Sequence, residues 1–232
     1  GPGEGASPAP QPLIRPVASF ARPDGAECVL VQDGVRNAMS LAEALDKAQG
    51  GGLILVRPGK YETMLCFKTA GVTVAGDGSS EDCVIKVVGA AKGFPPCAVV
   101  CRAFECRLVN MTVHFAGLEA ESNAILVQSG SLSVMNCDIH NGIGTGILVR
   151  SSMDATILGN RLHDCGACGV RLEQDVHASV RYNDIIRCKG AGVEVREGAN
   201  PIIEFNRIVK GKTSGVLVVV GGRGIVRENE FL

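Results

Sequence analysis

Residues 132–232 read LSVMNCDIHNGIGTGILVRSSMD (132–154), ATILGNRLHDCGACGVRLEQDVH (155–177), ASVRYNDIIRCKGAGVEVREGAN (178–200), PIIEFNRIVKGKTSGVLVVVGGR (201–223) and GIVRENEFL (224–232). Stacked, these lines fall into register without a gap, at a period of 23. One apolar column is Val134, Ile157, Val180, Ile203 and Val226; a second is Ile139, Leu162, Ile185, Ile208 and Phe231. A third is Ile147, Val170, Val193 and Val216, each preceded by glycine. A fixed period of this size marks a repeat architecture. Each copy holds three short alternating runs, such as Gly192-Val-Glu-Val-Arg196, separated by Gly, Asn or small polar residues. That is the pattern of strands, and no run is long enough for a helix. Three strands per repeat, with the same columns in every copy, describe the coils of a parallel β-helix whose strands stack about 4.8 Å apart. Asn160, Asn183, Asn206 and Asn229 share one slot between the second and third strands. Asn tolerates the left-handed backbone of a sharp bend, and stacked amides can bond from coil to coil. A leucine-rich horseshoe is the competing repeat, but its Leu spacing is absent.

Composition narrows the function. Thirty glycines and 4 % aromatics in 232 residues suit tight coils with small interior side chains. A net charge of −1 supplies no attraction for nucleic acid or an anionic membrane, and no apolar run approaches the roughly 18 residues of a spanning helix. No signal peptide is legible, and the opening Gly1-Pro2 reads as a protease-cleavage scar. Of ten cysteines, Cys101, Cys106 and Cys137 fall in apolar or ladder columns, where cysteine serves as a small buried hydrophobe. Reduced thiols and an intracellular location, cytoplasmic or cytoskeleton-associated, are expected.

Residues 1–24 are rich in Pro, Ala and Gly and read as a flexible arm, with 25–232 as a single β-helix domain. A short strand is expected at Cys28–Val31. Ser40-Leu-Ala-Glu43 is a capping box; Leu41, Ala44, Leu45 and Ala48 form one apolar stripe, and Gly50-Gly51-Gly52 ends a helix spanning about 40–49. The stretch SLAEALDKAQGGGLILVRPGKYE (40–62) resembles the opening of pectin-lyase-like right-handed β-helices. The resemblance implies a right-handed solenoid with this α-helix capping its N-terminal end, where apolar columns would otherwise be exposed. Irregular coils are expected over 53–123 and regular ones over 124–232. Val99, Leu108 and Val113 match Ile125, Val134 and Ile139 at an offset of 26, the extra residues fitting turn insertions such as Gly117–Ser122. In these coils Met111 and Cys137 occupy the Asn slot. Residues 199–231 are similar to the β-helix repeats of eukaryotic F-box proteins, the carbohydrate-binding and sugar-hydrolysis type; this implies substrate recognition.

Side chains able to do chemistry fall on the outward positions. Beside the third column lie Gln128, Arg150, Glu173, Arg196, Val219 and Leu126, Leu148, Arg171, Glu194, Leu217; beside the second lie Asp138, Arg161, Asp184, Arg207, Glu230. In pectin-lyase-like enzymes this first face bears acidic clusters. Here each Glu falls between arginines, which reads as an exposed, structural ion-pair ladder. His114, His140 and His163 stack on successive coils near Asp138 and Asp164 and could offer nitrogen to Zn²⁺ or Cu²⁺. Rings stacked on a flat sheet point in parallel, so a polar strip for partner contact is preferred and no metal or other cofactor is expected. Cys165-Gly-Ala-Cys168 suggests redox or zinc chemistry in isolation, yet Cys188 follows Cys165 at the repeat, which makes it part of a stacked turn.

The leading functional expectation is a non-catalytic scaffold or protein-interaction domain, contacting a protein partner through His114, His140, His163, Asp164, Leu126, Leu148 and Leu217. A carbohydrate-active or carbohydrate-binding protein is the first alternative, disfavoured because turns are short, only Gly89–Pro96 and Gly117–Ser122 could form walls, and tryptophan is absent. A metal-binding β-helix is the second. Val216, Val218, Val226 and Phe231 are expected to face along the solenoid axis at its C-terminal end, either supporting a homodimer or marking a cut edge from which a downstream segment has been removed.

Overall fold

The computed structural model describes residues 28–33, 38–151 and 154–232; the arm expected at 1–24 lies outside them. The three apolar columns become three parallel sheets. The first has nine strands, from Cys28–Val31 to Ile225–Arg227; the second has eight, from Gly59–Tyr61 to Glu230–Phe231; the third has seven, from Leu65–Phe67 to Val216–Val218. Val134 pairs with Ile157, Ile139 with Leu162 and Ile147 with Val170, so the column register is the hydrogen-bond register. The longer offset is also structural: Val99 pairs with Ile125, Leu108 with Val134 and Val113 with Ile139.

Inward alternation places these side chains in one continuous core, closed at its N-terminal end by Leu41, Ala44 and Leu45. Each such side chain stabilises the fold by about 1.5–3 kcal/mol relative to exposure. Glycine before the third column is required by close approach: a Cβ on Gly146, Gly169 or Gly192 would lie 2.6–2.7 Å from the carbonyl oxygen of the glycine one coil on.

The helix is shorter than the expected 40–49. It spans Leu41–Lys47, with the capping box formed as read and Ala48 already extended. Gly51 at φ +79° then turns the chain into Leu53–Val56. The solenoid begins before this helix, because Cys28–Val31 pairs in parallel with Leu53–Val56.

The Asn slot is a buried ladder. Asn160 Nδ2 donates to Asn183 Oδ1 at 3.0 Å, Asn183 to Asn206 at 2.9 Å and Asn206 to Asn229 at 2.9 Å. Each also donates to a carbonyl of the preceding coil, as Asn206 does to Val180 at 2.8 Å. The left-handed bend falls one residue earlier than expected, on Asn136, Gly159, Tyr182, Phe205 and Glu228. The ladder Asn turns inward to saturate backbone groups instead. Cys101, Cys106, Cys137, Cys165 and Cys188 are all buried in the core.

Candidate functional site

The third sheet presents three outward rows. At the strand starts Cys97, Asn123 and Thr145 are register partners. Mid-strand come Val100, Leu126, Leu148, Arg171, Glu194 and Leu217; toward the ends come Arg150 and Glu173. Two excursions connecting the second sheet to the third fold over this face. Phe94 of the first packs on the cluster of Cys97, Val100, Leu126 and Leu148, and Arg102 lies over its ring at 5.4 Å. The Ala90 N–H donates to Glu119 of the second excursion. Leu126 and Leu148 are therefore outward but only 3 % exposed, which removes them from the expected partner-contact set; Leu217, beyond the excursions, is half-buried.

Downstream of the covered patch a groove of about 530 Å³ remains open. Its strand-start side carries Glu121, Asn123 and Thr145, and its strand-end side Arg150, Glu173, Arg196 and Glu197, with Arg171 between. The charge ladder is real but not exposed. Glu173 is 7 % and Glu194 8 % exposed, because arginine side chains lie over them. Arg150 Nε sits 2.6 Å from Glu173 Oε1, although its N–H is not aligned for a hydrogen bond. Arg171 Nε donates to Glu194 Oε2 at 3.1 Å, and the Cys168 thiol donates to the same oxygen at 2.9 Å. Arg196 Nη2 donates to Glu197 Oε1 at 2.7 Å. Burial pushes the Glu194 carboxyl up, but Cys168, Arg171 and Arg196 outweigh it and hold the group below the usual range. Burial and Glu194 push the Cys168 thiol up to about 11, away from nucleophile chemistry.

The histidine column lies on the outer face of the second sheet, at the expected register. His114 and His140 stack with centroids 4.4 Å apart, and His140 and His163 at 5.3 Å with planes 9° apart. His163 is held at both nitrogens, by Asp138 at 2.9 Å and Asp164 at 2.7 Å. Asp164 also accepts two bonds from Arg187. Bonding to Asp138 raises the His163 pKa despite burial, whereas burial and the neighbouring rings bring His114 down to about 4. Among the described residues, no group of three or more His, Cys, Asp or Glu side chains converges as a metal cage would.

At the C-terminal end, Val218, Val226 and Phe231 are exposed and Val216 is half-buried. Their strands are the last of the three sheets.

Sequence reading missed the pairing of Asn123 with Thr145. The step between those strands is 22 residues, shorter than the 23- and 26-residue offsets of the columns, although the row that joins Leu126 to Leu148 has the same step. It also missed a charge ladder on the first sheet, Arg181–Glu204–Arg227, at 2.8 and 2.6 Å; stacked Arg, Glu and Arg at the period were the available signal.

The model of the right-handed β-helix region matches residues 98–232, more than half of the chain. The chain belongs to the right-handed β-helix family. Solved structures extend the likeness over the capped end. The pectate lyase Pel9A aligns with a TM-score of 0.53 at 16 % identity over 82 % of this β-helix, which spans 56 % of that enzyme's length. A pectin methylesterase from Aspergillus niger aligns at 0.51 and 14 % identity, over 91 % of this chain and 86 % of that one. A pectin methylesterase in complex with a hexasaccharide aligns at 0.54 and 9 % identity, over 91 % and 94 %. At these identities the likeness concerns the pectin-lyase-like fold alone. No curated protein matches this β-helix.

Proposed function

We propose that this β-helix is a non-catalytic recognition domain whose binding face is the groove on the third sheet. The observation that carries this reading is the pairing of its carboxylates. Glu173, Glu194 and Glu197 each lie against an arginine, and Glu194 is held below the ordinary carboxyl range. A general acid needs a raised pKa, and Glu194 is held the other way with its oxygens facing Cys168, Arg171 and Arg196. The likeness of 199–231 to F-box β-helix repeats supports recognition over turnover, and thiols that bond backbone carbonyls, as Cys137 does, support an intracellular setting.

A second reading, a carbohydrate-active enzyme, is favoured by solved neighbours named as pectate lyase and pectin methylesterases. The two readings separate in one assay. The chain is incubated with pectin, polygalacturonate, alginate and neutral glycans, while unsaturated products, released methanol and new reducing ends are followed. No turnover is expected. Turnover that disappears in Glu173→Gln would establish the enzyme instead.

A further inference from the structure

The outward charge rows alternate in sign from coil to coil, as Asp138, Arg161 and Asp184 do on the second sheet and Arg181, Glu204 and Arg227 on the first. One place breaks the rule. The turns that carry the chain from the second sheet to the third read Arg187-Cys-Lys-Gly-Ala-Gly192 on one coil and Lys210-Gly-Lys-Thr-Ser-Gly215 on the next. The Arg187 N–H donates to the Val209 carbonyl and the Lys212 N–H to the Cys188 carbonyl. Arg187 therefore stacks on Lys210 and Lys189 on Lys212, cation on cation, and all four are exposed.

Arg187 is satisfied within the chain, giving two bonds to Asp164 on the preceding coil. Among the described residues, Lys189, Lys210 and Lys212 have no carboxylate within ion-pair distance and no side-chain hydrogen bond. The carboxylates of the adjoining strands, Asp184 and Glu230, face Arg207 at 2.8 and 3.9 Å. Like charges stacked one coil apart repel and stabilise nothing within the solenoid. They suit an anionic partner, because no internal carboxylate has to be displaced first.

The turns also indicate which anion. A compact dianion such as phosphate is held by converging backbone N–H groups or by an unoccupied guanidinium. Here the N–H groups of Lys189, Gly190, Gly192, Lys210 and Lys212 are all spent on carbonyls of neighbouring coils, and Asp164 fills the Arg187 fork. What remains is three separate ammonium groups, point charges that each suit one carboxylate. Nucleic acid fits poorly: the patch covers two coils, carboxylates of the second sheet lie beyond it, and the chain's net charge is −1.

We infer that Lys189, Lys210 and Lys212 form a second interaction surface, which takes an acidic segment of a partner protein, a run of Asp or Glu. The surface adjoins the groove at Ala167, whose carbonyl accepts the Gly190 N–H, but uses none of the groove's arginines or glutamates. Its occupancy does not depend on what the groove does.

The test is fluorescence anisotropy of a labelled hexaglutamate peptide titrated with the full 232-residue chain at low and high salt. The peptide should bind, with affinity falling as salt rises, and hexaglutamine should not. The double variant Lys189→Gln/Lys212→Gln should weaken binding roughly threefold to thirtyfold, the effect of two lost exposed pairs. Lys60→Gln, at the opposite end of the second sheet, should leave it unchanged. Because no internal bond is lost, the double variant should melt no lower than the parent. A lower melting temperature would show that the lysines bond within the chain and would overturn the surface. Hexaglutamate binding unchanged in the folded double variant would do the same. Absence of binding at low salt would overturn the inference outright, and tighter binding of an oligonucleotide of equal charge would overturn the partner class.

Discussion

Asn206 shows how much of the backbone one ladder residue holds together. Its Nδ2 bonds Asn229, Val180 and Glu204, while its Oδ1 accepts from the backbone and side chain of Asn183, all without solvent access. Asn206→Ala therefore removes one residue and strands several buried partners. A loss of about 2–4 kcal/mol is expected in urea unfolding, from two or more unsatisfied groups; a loss below about 1 kcal/mol would show the ladder to be dispensable. His114 makes a pH-dependent counterpart. Burial, His140, Lys86 and His163 all lower its pKa, to about 4 from 6.5. The unfolded chain thus binds the extra proton first, and stability falls as pH drops from 6.5 toward 4. His163 works in the opposite sense. Its raised pKa contributes stability that is present in full on the acid side and lost as pH rises through the folded value. Melting temperature followed through this interval should fall less steeply in His114→Asn than in the parent; equal slopes would exclude the ring as the source.

At the scale of one element, Gly192-Val-Glu-Val-Arg196 carries two charges that alternation alone makes equivalent. Glu194 lies beneath Arg171 and bonds both it and Cys168, whereas Arg196 is partly open and its main partner is the neighbouring Glu197. Glu194→Gln should therefore cost about 1–3 kcal/mol, since it leaves a covered arginine without its carboxylate. Arg196→Gln should cost under about 1 kcal/mol, as half-exposed pairs do. Chemical unfolding of the two variants checks the contrast, and equal costs would mean that burial does not distinguish them. The same element explains why the ladder was legible and its burial was not. Period-2 alternation says which way a side chain leaves the sheet, but not what lies over it.

Among the described residues the stack is closed by the Leu41–Lys47 helix at one end, and Val216–Val218, Ile225–Arg227 and Glu230–Phe231 are the last strands of its three sheets. In this 232-residue polypeptide those edges combine unpaired backbone groups with exposed Val218, Val226, Phe231 and Leu232. Two such ends meeting about a two-fold axis perpendicular to the solenoid would bring all three edges together antiparallel. Concentration-dependent self-association is expected by light scattering, and Val226→Lys or Phe231→Lys should abolish it. A parent that stays monomeric at high concentration would exclude this contact. The groove belongs to the same scale. Residues 120–121, 145–150 and 171–174 face one space only because successive coils lie one strand spacing apart.

What the sequence by itself determined is everything that repeats: three inward columns, their register, the Asn slot, the glycines before the third column and the stacked placement of Cys165 and Cys188. Repetition constrains these positions because every coil must offer the next coil the same inward shape and the same backbone edges. The tertiary structure alone decided what does not repeat. Phe94 of the 89–96 excursion packs on Leu126 and Leu148, and Glu119 of the next excursion bonds the Ala90 N–H. Arginine stems close over Glu173 and Glu194. The physical reason is that direction along a strand is a local property of alternation, whereas exposure depends on which distant segment returns to cover it.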